Sequence, residues 1–177
     1  MKYILFVLCS EVFFFCNYNI NSQVIDWYGS AIYEDSPFKP GKDTLGHTWH
    51  DYSFDDNSWS SITKLPDKNW GCTDCDRYYR GYINLEASDL NNFNYFINFQ
   101  SDDGIWIYIN GSLIGHWGGE MHKGPAVNSP QWGGDHVEPV YIGDKLQEGK
   151  NVIAVHVSNG PIDSYFNLDL STNTKRK

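Results

Sequence analysis

NYFINFQSDDGIWIYINGSLIG, residues 94–115, is the stretch on which the fold turns. Tyr95, Ile97 and Phe99 alternate with Phe96, Asn98 and Gln100, and Ile105, Ile107 and Ile109 alternate with Trp106 and Tyr108. A period of two sends one set of side chains to a core and the other to solvent or a second layer. Ser101-Asp102-Asp103-Gly104 reads as the turn between these strands. Asn110-Gly111 is a strong hairpin signal, because both central residues of a type I′ turn need φ > 0. Ser112 to Gly115 starts the return strand. The stretch therefore predicts a β-meander with a doubly acidic turn at one end. By antiparallel geometry Gly115 returns to that end, so a loop starting at His116 begins beside Asp102.

On the N-terminal side, Val24 to Tyr33 reads as a strand broken at Gly29, and Glu34 to Gly46, with Pro37, Pro40 and Gly41, reads as a loop. Tyr78 to Leu85 is a further strand, and Glu86 to Asn92 a polar turn. On the C-terminal side, Gly115 to Gly134 is a long loop that holds Trp117-Gly118-Gly119 and Trp132-Gly133-Gly134. Val137 to Ile142, Asn151 to Ser158 and Tyr165 to Leu170 follow as strands, with a turn at Asp144 to Lys150. No segment sustains a helical period. Many short strands with closely spaced turn signals predict an all-β sandwich of two antiparallel sheets.

The 177-residue length suits one such domain. Lys2, the apolar run Tyr3 to Leu8 and its extension Val12 to Phe15 have the form of a secretory signal peptide ending near residue 23. Glu11 interrupts that run, which argues against a membrane-spanning helix. The expected organisation is a leader over 1–23, a sandwich over 24–172 and a short basic tail over 173–177, in a secreted or periplasmic protein. The formal net charge of −9 opposes nucleic acid or an anionic membrane as partner. Seven Trp and twelve Tyr are more rings than a small core needs, which leaves some for a surface. Sugar-binding surfaces use such rings, since the apolar face of a pyranose stacks on them while polar neighbours take the hydroxyls.

Phe54-Asp55-Asp56-Asn57-Ser58-Trp59, then Leu65-Pro66, then Tyr79-Arg80-Gly81-Tyr82-Ile83-Asn84-Leu85 resemble the opening of the galactose-binding-like jelly-roll modules attached to glycoside hydrolases of the β-galactosidase and rhamnosidase type. Ile107 to Gly115 resembles their hairpin, and Leu146 to Val157, with its Gly149-Lys150-Asn151 corner, the turn and strand that follow. The resemblance covers Ser53 to Leu170 and implies a jelly-roll β-sandwich. Ser101-Asp102-Asp103-Gly104 before an apolar strand also resembles the sandwich lectin domain first named from anthrax protective antigen. That likeness implies a calcium ion, held by adjacent aspartates, that binds sugar hydroxyls.

Asp102 and Asp103 are thus candidate metal ligands. Adjacent carboxylates repel unless a hard cation such as calcium neutralises them, while the plainer reading is a solvated turn in which Asp suits the geometry. Cys72 and Cys75 are the cysteines beyond the leader, and a local disulfide is their default in an oxidising compartment. A zinc site with His47 and His50 is the other arrangement they permit. Trp117, His116, His122 and Trp132 lie in the long loop, where the rings either plug the sandwich end or offer a stacking platform. Asn110-Gly111-Ser112 fits the N-glycosylation sequon, which the turn alone explains. No Gly-x-Ser-x-Gly, His-Glu-x-x-His or phosphate-loop motif is present, and adjacent carboxylates cannot flank a glycosidic bond.

These features point to a secreted carbohydrate-binding module without catalysis, calcium-assisted, whose ligand site combines Asp102, Asp103, His116, Trp117 and Trp132 at one rim. The competing reading is a structural or adhesive accessory protein that holds a protein partner through the same rim.

Overall fold

The computed structural model describes residues 25–34, 40–72, 75–118, 139–160 and 164–176. The expected leader over 1–23, Trp132 and His122 lie outside the described residues. The strands are β1 (Asp26–Gly29), β2 (Tyr33–Glu34), β3 (Ser60–Ile62), β4 (Asp67–Lys68) and β5 (Cys75–Leu85). After a short helix, α1 (Ala87–Asn92), come β6 (Phe93–Ser101), β7 (Gly104–Ile109), β8 (Ser112–Trp117), β9 (Val140–Tyr141), β10 (Gly149–Asn159) and β11 (Tyr165–Thr174). Among the described residues no helix is long and apolar enough to cross a membrane.

Two antiparallel sheets form the sandwich, as the alternation predicted. One runs β3-β1-β5-β10-β7-β8, with β2 also on β5; the other runs β4-β11-β6-β9. The predicted β-meander is corrected here: β6 pairs with β11 and β9, whereas β7 pairs with β10 and β8. Ser101-Asp102-Asp103-Gly104 is therefore an arch that carries the chain from one sheet to the other. Alternation looks the same whichever sheet a strand joins, because it reports only which face is buried. In the arch Asp103 takes φ 55°, a left-handed conformation that Asp tolerates. The Asp102 amide donates to the Tyr165 carbonyl at 3.0 Å, and the Asp103 carboxylate accepts the Gly160 amide. The arch is thereby held to the end of β10 and the start of β11.

Ile105, Ile107 and Ile109 from the large sheet meet Tyr95, Ile97 and Phe99 from the small one, and all six are buried. Each such side chain contributes about 1.5–3 kcal/mol by leaving water, so the two alternating runs supply a large share of the core. Asn110 and Gly111 take φ 49° and 84°, the type I′ turn predicted for the hairpin. The Asn110 side chain also ties the hairpin to the next strand. Its Nδ2 donates to the Lys145 carbonyl at 3.0 Å and to Asn151 Oδ1 at 2.8 Å, while its Oδ1 accepts the Val152 amide at 2.9 Å. Asn151 is fully buried; its Nδ2 donates to the Gln147 carbonyl at 2.7 Å and its Oδ1 accepts the Gln147 amide at 2.8 Å. The Asn-Gly hairpin and the Gly149-Lys150-Asn151 corner, separated in sequence, thus form one polar lock.

Three further expectations need correction. Glu86 to Asn92 contains the helix α1, six residues long and too short to show a period; the Asp89 carboxylate accepts the Glu86 amide at 3.0 Å and closes its first turn. The long loop begins later than predicted, since His116 and Trp117 still belong to β8, pairing with Trp106 and Ile105. Strand β11 continues to Thr174, past the boundary expected at 172.

Candidate functional site

Residues 40–59 form neither helix nor strand, yet they roof part of the outer face of the large sheet. Trp49 and Phe54 are buried there against Tyr78, Val152 and Ala154. Beneath them lies Arg80, fully buried. Its Nε donates to Asp56 Oδ2 at 3.0 Å, and its guanidinium donates to the Trp49, Asp51 and Tyr52 carbonyls at 2.6, 3.0 and 3.4 Å. The Phe54 ring lies 5.4 Å from the guanidinium carbon. Phe54-Asp55-Asp56-Asn57-Ser58-Trp59 therefore serves to bury and neutralise an arginine that β5 points outward. Burial, reinforced by its hydrogen bond to Asp56, pushes the Tyr82 phenol up to about 12. At the other end of the roof, Asp43 Oδ1 accepts the Leu45 and His47 amides, and its Oδ2 meets His47 Nδ1 at 2.8 Å. Burial opposes ionisation of Asp43, but the His47 contacts prevail and hold its carboxyl well below the usual carboxylate range.

Beside the roof, one cross-strand row crosses four strands. Tyr78 on β5 is opposite His156 on β10, His156 is opposite Trp106 on β7, and Trp106 is opposite His116 on β8. The rings stack in sequence: Tyr78–His156 at 4.4 Å and 6° between planes, His156–Trp106 at 4.8 Å and 24°, Trp106–His116 at 5.9 Å and 12°. Tyr78 and His156 are buried, while Trp106 and His116 are partly exposed at the open end of the row. His156 Nε2 lies 2.8 Å from the buried Asp76 Oδ1, which holds the imidazole in the stack. The partly exposed indole, stacked between two imidazoles, presents apolar ring edges flanked by nitrogen hydrogen-bonding groups.

The rim expected from the sequence assembles in part. Trp117 pairs with Ile105, and Gly118 lies so close to the arch that a Cβ on it would sit 1.6 Å from the Asp103 carbonyl oxygen. The acidic arch and the end of β8 therefore do meet. The two aromatic residues at that strand end face opposite ways, as alternation demands. His116 stacks on Trp106 on the outer face, whereas Trp117 turns inward, packing against the core with its ring 4.6 Å from Phe99. The half-buried Trp117 ring thus acts as an anchor between the sheets, and the ring beside His116 is Trp106. Trp106, His156 and Asp76 were not among the predicted site residues. The signal for Trp106 was present: an indole on the face of β7 opposite three isoleucines.

Cys72 and Cys75 form a disulfide. The zinc alternative loses its thiolates to that bond, and its histidines sit in the roof, His47 on Asp43 and His50 stacked on Tyr108 at 4.5 Å. Among the described residues no three His, Cys, Asp or Glu side chains gather where a metal ion could be held.

No protein-family model matches this chain, and no curated protein does. Solved structures do. The chain is similar to a glycosyl hydrolase family 2 member from Bacteroides cellulosilyticus, with a TM-score of 0.58 and 16% identity, over 87% of this chain and 20% of that one. It is similar to a Bacteroides uniformis beta-glucuronidase, with a TM-score of 0.57 and 20% identity, over 86% of this chain and 18% of the other. A Bifidobacterium dentium beta-glucuronidase complexed with coumarin-3-O-glucuronide follows at 0.51 and 16%, over 78% and 20%. At these identities the likeness is one of fold. The chain spans about a fifth of the length of these enzymes, so the shared part is a single β-sandwich module within each of them.

Proposed function

We propose that this protein is a secreted, non-catalytic carbohydrate-binding module of galactose-binding-like type, and that the exposed edges of Trp106 and His116 are its ligand platform. The observation that carries the reading is the open end of the aromatic row. An indole held by stacking on both sides, with His156 braced by Asp76 behind it, offers preorganised ring edges at little entropic cost. A pyranose ring laid across those edges buries part of its apolar face, and its equatorial hydroxyls reach the neighbouring imidazole and the arch end of the sheet. The likeness to modules within carbohydrate-active enzymes supports the same ligand class.

Asp102 and Asp103 in the arch are the proposed site of calcium assistance. The ion prefers six to eight oxygens. The described residues bring two adjacent carboxylates, one of which already accepts the Gly160 amide. No step of the binding reading depends on the metal.

A glycan array probed with wild-type protein, Trp106→Ala and His116→Ala, with and without calcium, tests both arms. Binding that is lost in Trp106→Ala and weakened in His116→Ala, with near-ultraviolet circular dichroism showing native packing, supports the platform. Hits that persist in both variants move the site elsewhere. Loss of binding on chelation supports the arch as a calcium site, and unchanged binding removes it. Silence on every glycan, with a protein co-purifying, favours the accessory-protein reading instead.

A further inference from the structure

The small sheet has an outer face that the platform does not use. Strand β6 presents Asn94, Phe96, Asn98 and Gln100 on it, and β11 presents Tyr165, Asn167, Asp169, Ser171 and Asn173, while their alternate residues enter the core. The composition of this face is unusual for a protein whose formal net charge is −9. It holds five amides and one carboxylate, Asp169; at its β4 edge Lys68, opposite Tyr165, balances that charge. The face is therefore neutral on a strongly acidic molecule.

Its polar groups are arranged in three pairs across β6 and β11 and one along β11. Asn94 Nδ2 donates to Asn173 Oδ1 at 2.9 Å, and Asn98 Nδ2 donates to Ser171 Oγ at 3.0 Å. The Tyr165 hydroxyl donates to Gln100 Oε1 at 3.4 Å, and Asn167 Nδ2 donates to Asp169 Oδ2 at 3.3 Å. Each amide carries two donor hydrogens and a two-lone-pair acceptor, so these pairings fix the side chains without exhausting them. Beside them Phe96 and Tyr141 form a ring pair at 5.6 Å, with Tyr141 46% exposed at the β9 edge. From Asn94 to Gln100 the face runs about 20 Å at a strand rise of about 3.4 Å per residue.

We infer that this face binds an extended, uncharged polysaccharide chain lying along β6 and β11. A hydroxyl-dense ligand both donates and accepts, which is what a row of amides needs in return. The rings of Tyr141 and Phe96 supply the apolar surface for one sugar face. Neutrality selects against uronate or sulfate polymers, because nothing on the face compensates an anion beyond the single Lys68. A protein partner fits the face less well, since interface cores draw on aromatic and aliphatic area and the apolar part here is the Phe96–Tyr141 pair at one edge and the Tyr165 ring at the other. The proposal shares its ligand class with the Trp106 platform and places it on the opposite side of the sandwich.

Affinity electrophoresis of the protein in gels containing hydroxyethylcellulose, mixed-linkage glucan, glucomannan, xylan or polygalacturonate tests it. The expected result is retardation by at least one neutral polymer and not by polygalacturonate. Tyr141→Ala should weaken retardation about tenfold, and Gln100→Ala several-fold, the scale of one lost ring or amide contact. Leu45→Ala, at an exposed position of the roof, should leave it unchanged, and the losses in Tyr141→Ala and Gln100→Ala should persist in a Trp106→Ala background, which separates this face from the platform. Calorimetry should show that oligosaccharides long enough to span the face bind more tightly than the disaccharide. Both variants alter exposed or edge positions, and matching wild-type melting temperatures guard against misfolding. Retardation by none of the neutral polymers, equal retardation by polygalacturonate, or neutral-polymer binding indifferent to both variants and to chain length would each overturn the proposal. So would concentration-dependent dimerisation in sedimentation that Tyr141→Arg abolishes, because the face would then belong to a second copy of the chain.

Discussion

Replacing Asp56 by Asn keeps the side-chain volume and removes one charge from beneath the roof over the large sheet. Arg80, with no exposed side-chain surface, then keeps three backbone carbonyls, the Tyr82 hydroxyl and the Phe54 ring around its charge, but no carboxylate. Removing one partner of a buried ion pair costs about 3–5 kcal/mol, because the remaining charge is left uncompensated. The three carbonyls still solvate the guanidinium, and hydrogen bonds to charged groups are worth about 1.5–3 kcal/mol each, so the lower end, about 3 kcal/mol, is expected. With a urea slope of about 2 kcal/mol/M for a small domain, the unfolding midpoint should fall by about 1.5 M. Arg80→Met should cost a similar amount by orphaning the Trp49, Asp51 and Tyr52 carbonyls. The double variant should recover part of the loss, with a coupling energy of about 2 kcal/mol. The near-ultraviolet signal of Trp49, packed edge-on against Tyr78 at 4.8 Å, reports whether the roof stays in place. A midpoint within about 0.25 M of wild type for Asp56→Asn, or strictly additive single variants, would show that the roof is held by its apolar contacts and not by Arg80.

Three further outcomes are expected. Gly111→Val should lose about 1–3 kcal/mol in urea titration, because a β-branched residue is forced to φ 84°. Asn151→Leu should cost about 3 kcal/mol by leaving the Gln147 amide and carbonyl and the Asn110 amide without their buried partner, and it should expose the hairpin amides to hydrogen exchange. The raised Tyr82 pKa favours the folded state while the phenol is neutral. That stability is fully present below pH 10, the ordinary tyrosine value, and is lost as pH rises through about 12. Tyr82→Phe should therefore flatten the alkaline limb of stability over that interval, and an unchanged slope would assign the limb to other groups.

The interior of the fold was legible because burial writes itself into alternation. Three isoleucines spaced by two in β7 and the Tyr95-Ile97-Phe99 series in β6 have a single consistent reading, as has Asn110-Gly111 with its two positive φ angles. Sheet membership was not legible. Whether Asp102-Asp103 closes a hairpin or crosses between sheets depends on which strands β6 and β7 find as partners, and those partners, β11 and β10, lie more than forty residues downstream. The helix α1 escaped because one and a half turns cannot display a 3.6 period. The roof escaped for a different reason. Its stability comes from Arg80, which on a strand that alternates polar and apolar residues looks like any solvent-facing cation until Asp56 and three carbonyls are brought over it.

The candidate site follows the same division. Adjacency in sequence suggested that His116 and Trp117 would act together, but neighbouring residues of a strand point to opposite faces, so one strand end supplies both a core anchor and a surface group. The residue that completes His116 is the one directly across the ladder, Trp106, and the residue that completes Trp106 is again directly across, His156. A stacked row perpendicular to the strands can be found only once register is known, since its members are separated by tens of residues in the chain and by one strand spacing in the sheet. The bulge between Ile107 and Tyr108 sharpens the point. It shifts the β8 register so that Gly115 lies opposite Ile107 and His116 opposite Trp106. Without that one-residue slip, the imidazole would fall on the core side and Trp117 on the surface. The irregularity in the hairpin is therefore what gives the indole its histidine neighbour and the core its tryptophan.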